Sequence, residues 1–191
     1  MTTNTKPVPV GRIMLKNVRL SFPALFEPEA FKPGDTPKFK ATLLVEKDSE
    51  QAKLVEKKIL AVLKEKYPSK AENLLKNIRG NPNKFCWQDG DTKSYDGYEG
   101  MMALSAKSTT APKVLDADRS ELSERSGKPY AGCYVNASVE LFAYDNSGVG
   151  LSASLRGIQF WGHGDSFSGS RPADADEFEA AEAGADAEDF A

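Results

Sequence analysis

AGCYVNASVELFAYDNSGVGLSASLRGIQFW, residues 131–161, alternates along most of its length. Cys133, Val135, Ala137, Val139, Leu141 and Ala143 are small or medium apolar residues at every second position. After Asp145-Asn146-Ser147-Gly148 the pattern resumes with Val149, Leu151, Ala153 and Leu155. Successive side chains of a strand point to opposite faces, so each arm has one apolar face and one mixed face. Asn and Gly in the break are the residues that most readily supply the positive φ angles of a tight reversal. The stretch therefore predicts a long antiparallel hairpin with a buried face. Its other face carries Tyr134, Asn136, Ser138, Phe142 and Tyr144 on the first arm, and Ser152, Ser154 and Arg156 on the second. Aromatics, hydroxyls and a guanidinium on one face read as a binding surface. A slip of one residue in register would exchange the two faces.

Upstream, GRIMLKNVRLSF alternates through Ile13 and Leu15, breaks phase at Lys16-Asn17, and resumes with Val18, Leu20 and Phe22. Such a slip is what a bulge produces, and bulged, bent strands close small barrels. Residues 23–37 hold four prolines and read as a long loop, with Phe26 and Phe31 packing beneath it. In 38–46, Phe39, Ala41, Leu43 and Val45 face inward, and Lys38 and Lys40 face outward. Residues 48–67 predict a helix capped by Asp48 with Gln51 as its partner, with Val55, Ile59, Val62 and Leu63 as its core stripe. A second short helix, with Ser69 as cap and Glu72 as partner, is expected to end at Gly80. Strand character returns at 84–88 and 100–107. Between them DGDTKSYDGYE is a polar loop whose Tyr95 and Tyr98, with Trp87, Lys84 and Lys93 nearby, read as ligand contacts. Residues 108–129 read as a mobile loop whose Val114 and Leu115 touch the sheet. Gly157 marks another bulge before Ile158, Phe160 and Trp161.

Five strands with a helical segment after the second suit a mainly β fold: a five-stranded antiparallel barrel of the oligonucleotide-binding type with long loops. Strands and helices do not alternate, which argues against a doubly wound sheet. One domain is expected over 11–161, with a flexible lead at 1–10 and a disordered linker and acidic tail at 162–191. Residues 172–191 hold eight of the 28 acidic groups and none of the 25 basic ones, so residues 1–171 carry +5 and the tail −8. The summed charge of −3 describes neither part.

No phosphate-loop or dinucleotide-binding motif is present. With a single histidine, His163, neither a histidine-based triad nor a zinc site with recognisable spacing is expected. Cys86 and Cys133 read as free thiols. No cofactor, metal or catalytic residue is expected, and the chain reads as a cytoplasmic protein with no membrane contact.

The opening GRIMLKNVRLSFPALFEP, the helix after the second strand, GKPYAGCYVNASVELFAYDN and the acidic tail together resemble a phage-encoded single-stranded-DNA-binding family with an oligonucleotide-binding fold and an acidic C-terminal tail. The resemblance implies a protein that coats and protects single-stranded DNA in phage replication and recombination, without sequence preference. It implies a tail that competes with DNA and contacts replication proteins such as a polymerase, helicase or primase, here through Asp186, Glu188, Asp189 and Phe190. The candidate DNA contacts are Lys38, Lys40, Lys84, Trp87, Lys93, Tyr95, Tyr98, Lys107, Tyr134, Phe142, Tyr144 and Arg156. The competing readings are a protein-interaction or virion structural module and, less supported, a nuclease. The sequence leaves open whether the protein is a monomer or a dimer.

Overall fold

The long hairpin forms as its alternation predicts. In the computed structural model, which describes residues 6–167 and 177–178, β6 (Tyr134–Asp145) pairs antiparallel with β7 (Val149–Gly162). Cys133, Val135, Ala137, Val139 and Leu141 are buried, as are Leu151, Ala153 and Leu155 across from them. The reversal takes its positive φ angles at Ser147 (57°) and Gly148 (108°), one residue later than the expected Asn146. The expected bulge lies at the Arg156-Gly157 step: Ser138 pairs with Gly157 and Val139 with Leu155, which leaves Arg156 unpaired.

β1 (Arg12–Glu29) pairs with β6 on one side and β2 (Lys38–Glu46) on the other. Its predicted bulge at Lys16-Asn17 is present, with φ +52° at Asn17. Gln51 closes the gap by accepting from the Lys16 N–H at 2.6 Å and donating to its carbonyl at 2.7 Å. Gln51 is thus a buttress between helix and bulge, not the expected capping partner. The helix α1 (Glu50–Lys66) is capped by Ser49, whose Oγ accepts from the Ala52 N–H at 3.1 Å. Asp48 instead takes the left-handed turn residue before it, at φ +61°. Ala52, Val55, Ile59, Val62 and Leu63 bury into the core. α2 (Ala71–Ile78) has no side-chain cap, so Ser69 does not play the expected role, and Gly80 follows it at φ +86°.

The sequence reading placed a loop over 23–37, but β1 continues to Glu29, carrying buried Ala24 and Leu25, and the loop shrinks to 30–37. The remaining strands are β3 (Trp87–Asp89), β4 (Met101–Ser108) and β5 (Lys113–Leu115), with 3-10 turns at Gly90–Thr92 and Glu124–Ser126. β5 pairs parallel with β7 and buries Val114, so 108–129 is not structureless. The strand order is β3-β4-β2-β1-β6-β7-β5, and a parallel pairing of Lys107 with Ser154 joins β4 to β7. Five strands, β1-β2-β4-β7-β6, therefore close into a barrel, with β3 and β5 as short additions. No helix among the described residues is long and apolar enough to cross a membrane.

Residues 163–167, the expected start of a flexible linker, lie against the barrel. Arg19 Nη2 donates to the Asp165 carbonyl at 2.8 Å, Tyr130 Oη donates to the Gly164 carbonyl at 3.1 Å, and the Phe167 N–H donates to the Ala131 carbonyl at 3.1 Å. The Arg19 guanidinium stands 4.4 Å from the Phe167 ring centre. Residues 1–5 of the expected lead and nearly all of the acidic tail lie outside the described residues.

Candidate nucleic-acid interface

The outer faces of β2, β4, β6 and β7 meet where the barrel closes. Their residues there are small: Thr42, Ser105, Ser152 and Ser154. Long side chains stand around this low floor, and the result is a groove of about 960 Å³. Lys38 and Lys40 come from β2, Lys107 from β4, Lys84 from the segment before β3, and Lys93 from the loop after it. Aromatic walls come from Tyr95 and from Phe142 and Tyr144 of β6, whose ring centres lie 6.5 Å apart. Among the described residues that line the groove there are five lysines and no carboxylate.

The lysines are available to an anion. Lys38, Lys93 and Lys107 pair with no carboxylate among the described residues. Lys40 meets Glu29 at 2.8 Å, an exposed pair of the kind that contributes little net stability. Lys84 Nζ donates to the Ser147 carbonyl at 2.8 Å, which fixes the hairpin turn beside the groove. Tyr144 Oη donates to the Asn83 carbonyl at 3.3 Å, so its ring is held by its polar end.

The loop carrying Lys93 and Tyr95 is anchored at its base. Lys47 Nζ donates to Asp91 and sits against Asp89, and the Asp91 carboxylate accepts from the Gly100 N–H at 2.8 Å. The hydrogen bonds from Lys47 hold both carboxyls below their ordinary range, and the Lys47 ammonium is correspondingly raised. Cys86 lines the groove, but burial pushes its thiol up to about 12, so it is not a thiolate at neutral pH. Cys133 is likewise a free thiol, pushed up to about 11 by burial. Among the described residues no group of three or more His, Cys, Asp or Glu side chains converges as a metal site.

Four sequence candidates stand elsewhere or turn inward. Trp87 is 2% exposed and lies in the core beneath the groove, its indole N–H donating to Glu56 at 2.9 Å. It follows the same inward phase as Phe85, because β3 presents Cys86 and Gln88 outward. Tyr98 is 3% exposed, forming part of the groove wall, with Oη donating to Ser21 Oγ at 3.2 Å; it supports the wall and offers no open face. Tyr134 lies outside the groove, 5.9 Å from the Arg19 guanidinium and beside Gly164. Arg156 sits on the bulge, 3.5 Å from Glu140, which also accepts from Arg12 at 2.9 Å. Asp186, Glu188, Asp189 and Phe190 lie outside the described residues.

Two groove aromatics were not among the candidates. Phe31, expected beneath its loop, is 86% exposed. Phe22, expected on the inner face, is turned out by a second bulge that shifts the β1–β2 register between Ser21 and Ala24. A left-handed backbone costs a non-glycine residue about 1–2 kcal/mol, and Phe22 adopts it at φ +45°. No sequence signal marks it, since a proline at position 23 biases the residue before it toward extended backbone with negative φ.

A closed five-stranded barrel with a basic, aromatic outer groove defines the oligonucleotide-binding class of β-barrel. The chain belongs to the family described as Enterobacter phage Enc34, ssDNA-binding protein, whose model matches residues 11–191. Putative protein p50 of Acyrthosiphon pisum secondary endosymbiont phage 1 is 45% identical over 170 residues, 88% of this chain and 92% of the relative. The single-stranded DNA-binding protein of bacteriophage Enc34 in complex with ssDNA matches with a TM-score of 0.69 at 28% identity, over 82% of this chain and 89% of that one. Gp2.5, a single-stranded DNA-binding protein encoded by bacteriophage T7, shares the fold, with a TM-score of 0.54 at 14% identity over 89% of this chain and 98% of that one.

Proposed function

We propose that this protein binds single-stranded DNA without sequence preference, laying the strand along the groove over the β4–β7 closure. It thereby coats single strands that arise in the host cytoplasm during phage replication or recombination. The observation that carries this reading is the groove's lining: five lysines, several exposed rings and no carboxylate. Lysines neutralise phosphates as point charges, and rings stack on any base because every base has a π face. Apart from Asn83 and Gln88, the uncharged oxygen and nitrogen groups on side chains of the lining are Ser, Thr and Tyr hydroxyls, which do not select one base, so the contacts favour a strand of any sequence. The groove offers groups that hold a strand rather than cut it. Lys38, Lys40, Lys84, Lys93 and Lys107 are assigned to phosphates, and Tyr95, Phe142 and Tyr144 to bases. Tyr98 stiffens the wall behind Tyr95, their ring centres 5.2 Å apart. The acidic tail, carrying −8, regulates access by competing for the same lysines, and it is the surface offered to replication proteins.

Titration of labelled dT oligomers over a range of salt tests the reading. Affinity should fall linearly on a log–log plot as salt rises, because each neutralised phosphate releases counterions. Lys107→Ala and Lys38→Ala should each weaken binding and reduce the slope by about 0.7 per lost contact. Absence of binding at low salt, or binding without a salt slope, would overturn it.

A further inference from the structure

Phe22 is the most strained aromatic of the groove, and its strain is not repaid by burial. At φ +45° its backbone adopts a conformation that bulky side chains avoid. The usual compensation would be a ring packed in the core, yet Phe22 is 49% exposed. Around it the chain behaves otherwise: Leu20, Ser21, Ala24 and Leu25 are all buried. The bulge therefore takes one residue out of an otherwise inward run and turns it into the groove, a common use of bulges beside binding sites.

The ring is also held in place. Tyr95 meets it at 4.9 Å between ring centres with planes at 76°, and Tyr98 at 6.5 Å with planes at 61°. Tyr98 is anchored in turn through Ser21, the residue preceding Phe22. A half-exposed ring fixed by two edge-to-face neighbours loses little freedom when a second flat surface settles on it.

We infer that Phe22 is a base-stacking residue, and that the β1 bulge exists to aim its ring at a nucleobase of the bound strand. This rests on the groove being the single-strand path. The backbone at this point costs stability and returns it as binding, as strained residues at ligand sites do.

Phe22→Asn separates the two roles, since asparagine tolerates positive φ and keeps the bend while removing the ring. We expect its melting temperature to equal or exceed that of the unchanged chain, while dT affinity falls about tenfold, the size expected for loss of one stacked base. The salt slope should stay the same, because no phosphate contact is removed. Phe22→Tyr should retain near-full affinity. On an oligomer of abasic sugar-phosphate units, the unchanged chain and Phe22→Asn should bind equally. If the unchanged chain fails to bind dT, the groove reading falls and this inference with it. If it binds and Phe22→Asn binds as well, only the inference is overturned. A loss that persists on the abasic strand would also overturn it, because the ring would then be shaping the groove rather than stacking. A drop in melting temperature with unchanged affinity would make Phe22 a purely structural residue, and would overturn it too.

Discussion

Glu56, on the surface of α1, ties three elements to one carboxylate. It accepts both guanidinium nitrogens of Arg79 at 2.9 and 2.8 Å, and the indole N–H of Trp87. The paired hydrogen bonds from Arg79 hold its carboxyl below the ordinary range, with Trp87 adding to the same effect against the opposing effect of burial. A depressed carboxyl contributes stability that is present above its unfolded pKa and is lost as pH falls through the folded one. Glu56→Gln should therefore lower stability at neutral pH by about 0.5–1 kcal/mol, since solvent screens a pair this exposed, and the gap to the unchanged chain should close as pH drops below about 4. Thermal melts of both proteins from pH 7 to pH 3 measure this; a gap that widens on acidification would contradict the assignment. Trp87 itself was legible as core. Phe85 and Trp87 alternate with Cys86 and Gln88, and that alternation, not the polar loop beside it, sets which way the ring faces.

At the scale of elements, the 90–100 loop matters because it carries three groove residues, Lys93, Tyr95 and Tyr98, on a base held by one lysine. Asp91→Asn removes one of the two carboxylates that Lys47 pairs with and weakens the acceptor for the Gly100 N–H. Amide exchange across residues 93–100 should rise, and dT affinity should fall with the fold unchanged; protection equal to that of the unchanged chain would refute this. The strands and α1 could be read from periodicity, because apolar spacing reports which face meets the core. The hairpin's inner face, the β1 bulge at Asn17 and the bulge by Gly157 all came from that signal. What periodicity does not report is a residue turned outward by a bulge. Phe22 continued an apolar alternation and was therefore assigned inward. Tyr134, opposite Gly162, lies far along the hairpin from the β4–β7 closure, and Arg156, two residues past Ser154, is turned toward Glu140 by the bulge. Strand alternation gives the face and leaves position along the barrel to long-range pairing. Asp48 reads as the cap from its spacing, but it takes a left-handed turn and leaves the capping to Ser49.

For the whole molecule, charge is divided rather than spread: +5 over residues 1–171 and −8 over residues 172–191. A chain ending at Arg171 should bind dT more tightly than the full chain at low salt. The advantage should shrink as salt rises and the Debye length falls below about 10 Å. Equal affinities at low salt would remove the tail from any competition for the groove. The barrel's geometry adds one more consequence. Its ring of strands is completed by one direct ladder pair, Lys107 opposite Ser154, and by the 84–86 segment, which bonds Leu151 of β7 through the Lys84 carbonyl and the Cys86 N–H and accepts from Ser105 of β4 at the Cys86 carbonyl, so it is a hoop fastened by a clasp and a short strap. The groove lies over that clasp, with residues of both strands in its floor. A strand bound as proposed would bridge the two sides like a splint, and the joint with the fewest direct ladder pairs would be the one that the cargo itself reinforces.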